Sequence, residues 1–139
     1  MTGEHAALIT TPHELLYVST DVEPGIFDQR AVERRGDVLV FTSAPLEREL
    51  EVTGPVALQL WAASSACDTD FTAKLVDVWP DGRVLNVCDG IVGARHRRSV
   101  AAASLITPGV VYAYRIALTP TSNVFQRGHR VRVEVSSSN

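Results

Sequence analysis

The stretch "DTDFTAKLVDVWPDGRVLNVCDG", residues 68–90, gathers paired aspartates, a lysine, a tryptophan and a cysteine around a Pro-Asp-Gly turn. Asp68 and Asp70 have the D-x-D opening of a calcium loop, but no third acidic ligand, glycine or closing glutamate follows at the spacing such a loop needs. Turn and capping roles suit these aspartates better. Zinc requires convergent Cys and His, and His5, His13, His96 and His129 show no paired spacing. Nucleophilic catalysis requires a serine or cysteine beside a base and an oxyanion hole. No G-x-S-x-G elbow is present, and the serines of "ASSAC" and "EVSSSN" fall at strand ends without a recognisable partner. His129 follows Gly128 in a turn and reads as a solvated loop residue rather than a base. Paired carboxylates for glycoside hydrolysis meet only in a fold, and nothing in the sequence singles out a pair. A glycine-rich phosphate loop is also missing. Trp61, Trp79, Tyr112 and Tyr114 could form a sugar-stacking surface, although aromatics at alternating strand positions more often belong to a core. The residues therefore assign no catalytic group, no metal and no cofactor.

The elements that carry these residues have the period of strands. In "HRVRVEV", Val131, Val133 and Val135 point one way and Arg130, Arg132 and Glu134 the other. "VVYAYRIAL" sets Tyr112, Tyr114, Ile116 and Leu118 against Val111, Ala113, Arg115 and Ala117, and "PVALQLWA" aligns Val56, Leu58 and Leu60. "DVLVFTS" is a further short β-rich run. Turn signals separate the runs: "TGP" at 53–55, "PDG" at 80–82, "PG" at 108–109 and "RGH" at 127–129. Many short strands at this spacing predict an all-β sandwich or barrel. Pro80 and Gly82 suit a hairpin joining "FTAKLVDVW" to "RVLNVCD". Phe71, Ala73, Leu75 and Trp79 share one face of its first strand and Val76 and Val78 the other, which predicts a strand covered on both sides. "SVAAASL" is too short for more than a turn, and "EPGIFDQR" reads as an ordered loop.

The chain has 139 residues, the size of one domain. At that length a core needs neither disulfide nor metal to hold it. A net charge of −3 argues against a nucleic-acid partner, which usually requires a basic face. No apolar run approaches the roughly 20 residues that span a bilayer, so no membrane partner is expected. The opening "MTGEHAALITT" lacks the pattern of a signal peptide. The expected compartment is the cytoplasm, where Cys67 and Cys88 would be buried thiols; a bridge across the hairpin is the less favoured alternative.

"VTGPVALQLWAASSACDTDFTAKLVDVWPDGRVLNVCDGIVGARHR" closely resembles the C-terminal domain of the Xaa-Pro dipeptidyl-peptidase and cocaine-esterase group of serine hydrolases. So do "PTSNVFQRGHRVRVEVSSSN" and, more loosely, "PGIFDQRAVERRGDVLVFTS". The resemblance covers roughly residues 24–139, is most specific over 64–97, and is closest to the bacterial esterase branch. It implies a jelly-roll β-sandwich similar to galactose-binding domains, over residues 24–139, preceded by an irregular segment, 1–23, that forms the tail of an upstream domain. It also implies that a Ser-Asp-His triad lies in an α/β-hydrolase domain N-terminal to Met1, in agreement with the missing elbow. The sandwich would be non-catalytic: it would dock the hydrolase domain, help wall the substrate pocket and mediate dimers. Similarity of "ELLYVS" to a pocket-lining segment makes Leu16 and Tyr17 pocket candidates. Two departures stand out. The family chain continues after "SSSN" with more strand, so a fragment truncated at both ends is expected, and His96 replaces a usual tyrosine in "ARHRR". The competing class is a stand-alone carbohydrate-binding module on the same sandwich.

Overall fold

A computed structural model of the chain describes the backbone of residues 7–11, 14–18 and 28–137, and the side chains of 28–137. Strands β1 (Ala7–Thr11) and β2 (Glu14–Val18) pair antiparallel with each other. The remaining strands are β3 (Val38–Thr42), β4 (Leu50–Ala62), β5 (Asp70–Val78), β6 (Val84–Gly93), β7 (Tyr112–Phe125) and β8 (Arg130–Ser136). They form a four-stranded sheet in the order β3-β8-β5-β6 and a two-stranded sheet of β4 and β7, all antiparallel. Except for the β5–β6 hairpin, each connection from β3 onward carries the chain from one sheet to the other. The result is the all-β sandwich that the alternating pattern predicts.

The core lies between the sheets. Phe71, Ala73, Leu75 and Cys88 from the larger sheet meet Tyr114, Ile116, Leu118 and Phe125 from β7. Phe71 and Tyr114 bring their ring centroids within 4.8 Å, a tilted contact of the kind aromatic pairs favour. The inward residues of β7 and β8 are those the period selects. Val131, Val133 and Val135 stand directly across from Asp77, Leu75 and Ala73 on β5, and so share their face.

The hairpin that opens the sequence question closes as expected. Trp79 N donates to Arg83 O at 2.9 Å and Gly82 N to Trp79 O at 3.0 Å, with Gly82 at φ +90° where a side chain would be strained. Val76 is fully buried on the outer face because residues 28–36 cover it there, with Asp28 bridging to Leu85 and a 3-10 turn at Gln29–Ala31. That cover also changes the reading of Glu134. It lies on the face opposite the valines, as its period requires, but it is 2% exposed.

The "TGP" signal is a correction. Residues 53–55 do not end a strand; β4 runs through them, and the register with β7 shifts between Gly54 and Val56. Gly54 takes φ +109°, and Pro55 and Pro120 both fall in the irregularity. A bulge accepts residues that cannot donate to the ladder, so the turn chemistry is used to bend a long strand.

The two long sides of the sandwich differ. On the β6/β7 side the sheets nearly touch: a Cβ on Gly90 would lie 2.1 Å from Ala117 O, and Thr119 Oγ1 donates to Asp89 O at 3.2 Å. On the β3/β4 side they stand apart.

Candidate docking surface

The open side is built from strands whose inward residues find no opposite number. Leu39 and Phe41 on β3 stand across from Val135 and Val133 on β8, which in turn face Ala73 and Leu75. Directly paired residues share a face, so Leu39 and Phe41 point toward the core layer. Both are nevertheless 60% exposed. On the other sheet, β4 alternates regularly, but its inward Val52, Val56, Leu58 and Leu60 are only half-buried against the core. Opposite Val56, Leu58 and Leu60 on β7, Leu118, Ile116 and Tyr114 are buried. Between the two edges lies a cleft of about 510 Å³ lined by Leu39, Phe41, Leu60, Phe71 and Val135, with Trp61 at its rim, 66% exposed. Full burial of a Leu or Phe side chain contributes about 1.5–3 kcal/mol, and Leu39 and Phe41 leave much of that unrealised.

The sequence-designated residues separate. Leu16 and Tyr17 sit on β2, but their side chains lie outside the described residues. Asp68 is a turn residue: it accepts from Arg95 N at 3.1 Å and pairs with the Arg95 guanidinium, which holds its carboxyl below the usual range. Among the described residues no three His, Cys, Asp or Glu side chains converge as a metal set. Tyr114 is core and Tyr112 and Trp79 are half-buried, whereas Trp61 is exposed on the rim. The expectation that both cysteines are buried holds for Cys88 alone. Cys67 is exposed, both thiols are free, and burial pushes the Cys88 thiol up.

His129 is a second correction. It is buried, its Nδ1 lies 2.9 and 3.1 Å from the two carboxylate oxygens of Asp77, and its ring packs 4.7 Å from that of Trp79. Arg83 covers the Trp79 ring, 3.8 Å from its centroid. The turn residue Gly128 does place His129 at a strand end, but the Asp77 partner comes from β5, 52 residues away, and no local signal announces it. An Asp–His pair is two-thirds of a catalytic triad. Among the described residues no serine or cysteine hydrogen-bonds the ring to complete one. The pair is a buried tie between β5 and the start of β8.

The sequence reading missed the cleft. "DVLVFTS" was legible as a strand, but not as an edge strand with its inner face uncovered. A signal was there: Val38 to Phe41 is apolar on both faces, unusual for an edge strand.

Known proteins share this sequence and this fold. The family described as the X-Pro dipeptidyl-peptidase C-terminal non-catalytic domain matches residues 4–139. A cocaine esterase of Rhodococcus sp. (strain MB1 Bresler) is 50% identical over 125 residues, covering 90% of this chain and 21% of the esterase. Two solved structures superpose on most of the chain. An aminopeptidase from a marine sediment Thaumarchaeota archaeon gives a TM-score of 0.78 at 37% identity, and an α-amino acid ester hydrolase gives 0.77 at 35%. Each superposition covers 81% of this chain and 20% of the solved chain. The chain thus spans about a fifth of the proteins it matches.

Proposed function

Since the chain belongs to the X-Pro dipeptidyl-peptidase C-terminal non-catalytic domain family, we propose that it serves a larger serine hydrolase as a docking domain. In this reading its open β3/β4 side is covered by the rest of the parent chain. The observation that carries it is the exposure of Leu39 and Phe41 on a face that otherwise belongs to the core. A side chain patterned for burial and left in water is what a surface made for another part of the same molecule looks like. The partner is the α/β-hydrolase domain of the parent, whose triad supplies the chemistry, and the sandwich helps wall its substrate pocket, with Leu16 and Tyr17 on the pocket side. We assign residues 1–23 to the junction with that domain and 24–139 to the sandwich, of galactose-binding-like jelly-roll type. The parent is an acyl esterase rather than a dipeptidyl-peptidase; the 50% identity to a cocaine esterase favours this. The two free thiols suit a cytoplasmic parent. The carbohydrate-module alternative gains no support: Tyr114 is buried in the core, and the Trp79 ring is engaged by His129 and Arg83.

The test has two parts. The purified chain should leave p-nitrophenyl esters and Xaa-Pro anilides unhydrolysed, and turnover would overturn the non-catalytic reading. A chimaera carrying this chain in place of the matched segment of the Rhodococcus cocaine esterase should hydrolyse ester. Leu39→Asp with Phe41→Asp should cost that chimaera about 3 kcal/mol or more of stability by burying two charges at the junction. An equally stable double variant would show that the cleft faces solvent in the parent.

A further inference from the structure

The connection from β6 to β7 is held in shape by one arginine and carries a tip that the sandwich itself does not use. Residues 97–111 follow the 3-10 turn Ala94–His96 and run to Tyr112 with no helix or strand. Connections of about 12–15 residues or more without structure of their own are uncommon and usually functional. Arg97 closes this one. Its Nη1 donates to Ala94 O at 3.1 Å and to Ser104 O, and its Nη2 to Ser104 Oγ at 3.3 Å and Leu105 O at 3.4 Å. The guanidinium also lies 4.5 Å from the centroid of the Tyr112 ring. Backbone bonds complete the base: Ser104 N donates to Arg95 O at 2.8 Å, Ile106 N to Cys67 O at 2.9 Å and Gly109 N to Ser64 O at 2.8 Å. Ile106 anchors the base in the core.

Beyond that base, residues 98–103 form an exposed turn, with Val100 89% exposed. Among the described residues the hydrogen bond this turn makes is local, from Ala101 N to Ser99 Oγ at 3.1 Å, and Arg98 has no ion pair. A stapled base under an unused tip suits a contact element, because little ordering remains to be done when a partner binds. The tip also continues from the open cleft. Ser64, which holds Gly109, lines the cleft, and Trp61 on the cleft's rim pairs with Ala113 at the head of β7. Leu105, Val110 and Val111, in the chain between the tip and β7, are 61%, 44% and 61% exposed. Uncovered apolar surface therefore runs from the cleft to the tip at the end of the sandwich where β4 stops and β7 starts, and surface of that kind marks an interaction site.

We propose that the 98–103 tip is a second docking element, which the parent's hydrolase domain takes into an apolar recess rimmed by a carboxylate. Val100 fills the recess, and Arg98 at its edge pairs with the carboxylate. The inference rests on the docking reading above and extends it: the hydrolase domain sits across this end of the sandwich, on cleft and tip together. The matched segment is 21% of the Rhodococcus esterase and 20% of the solved aminopeptidase, so most of such a parent lies outside it and can supply the recess. Arg97 is a positioning residue in this arrangement, acting through the shape of the loop.

The test uses the full 139-residue chain and its chimaera with the Rhodococcus esterase. Val100→Asp with Ala102→Asp puts two charges on the tip. In the isolated chain, where the tip meets water, the melting midpoint should stay within about 2 °C. In the chimaera it should fall by about 5 °C or more, because the charges are carried into an apolar recess. A midpoint unchanged in the chimaera, or lowered as much in the isolated chain, would overturn the proposal. Leu39→Asp with Phe41→Asp, measured beside it, separates the tip from the docking reading. If the cleft pair lowers the chimaera's midpoint and the tip pair does not, docking at the cleft stands and the tip proposal fails; if neither does, both fail. Arg97→Gln should lower the midpoint of the chimaera more than that of the isolated chain, and an equal loss in both refutes the positioning role. The unsubstituted proteins give an answer even if a variant fails to fold. Hydroxyl-radical labelling of Val100 and Leu105 should be strong in the isolated chain and suppressed in the chimaera, and equal labelling refutes the contact.

Discussion

Gly90 shows how much one residue decides. Its missing Cβ is what lets β6 approach the backbone of β7, since any side chain there would meet Ala117 O at 2.1 Å. Gly90→Ala should therefore cost about 1–3 kcal/mol, the range for forcing extra volume into a packed site, and a lowered urea midpoint checks it. The two cysteines give a second residue-scale test. Cys67 is exposed and should react with a thiol reagent in the native chain. Cys88 is buried, its thiol pushed up first by burial and then by Asp89, and should react only in denaturant. Simultaneous reaction of both without denaturant would mean that the β5–β6 layer is not formed. His129 and Glu134 make the opposite point about single residues. Both are polar types that a strand period places on a face or at an end, and both are buried. Nothing within a few residues of either carries that information.

Element by element, what was legible follows the physical origin of each signal. Alternation marks the inward faces of β7 and β8 because burial between two sheets is a two-residue period. The Pro80–Gly82 hairpin was readable because turn geometry is local. The proline and glycine at 54–55 misled for the same reason: their chemistry fits a turn and a bulge alike, and only the 13-residue pairing of β4 with β7 selects the bulge. β3 was visible as a strand, but its place at an open edge depends on sheet order, which no local pattern states. That difference is measurable. Phe125, fully buried on β7, should cost about 3–5 kcal/mol on replacement by alanine. Phe41, also inward but 60% exposed, should cost under about 1 kcal/mol in the isolated chain. Paired urea denaturation of Phe41→Ala and Phe125→Ala checks this. Equal losses would mean that β3 already has its cover.

Seen whole, the molecule is a sandwich closed along β6/β7 and open along β3/β4, from a family whose matched members are about five times its span. The central claim is that the open side meets the rest of the parent chain. Sequence resemblance supplied the idea of a docking domain; the location of the docking face required sheet order and exposure together. Hydroxyl-radical footprinting of Leu39, Phe41 and Trp61 tests it most directly. The labelling would be measured on the isolated chain and on the chimaera with the Rhodococcus esterase, with buried Phe125 as the internal control. The account predicts strong labelling of all three in the isolated chain and suppression in the chimaera, with Phe125 protected in both. Equal labelling of Leu39, Phe41 and Trp61 in an active chimaera would contradict it.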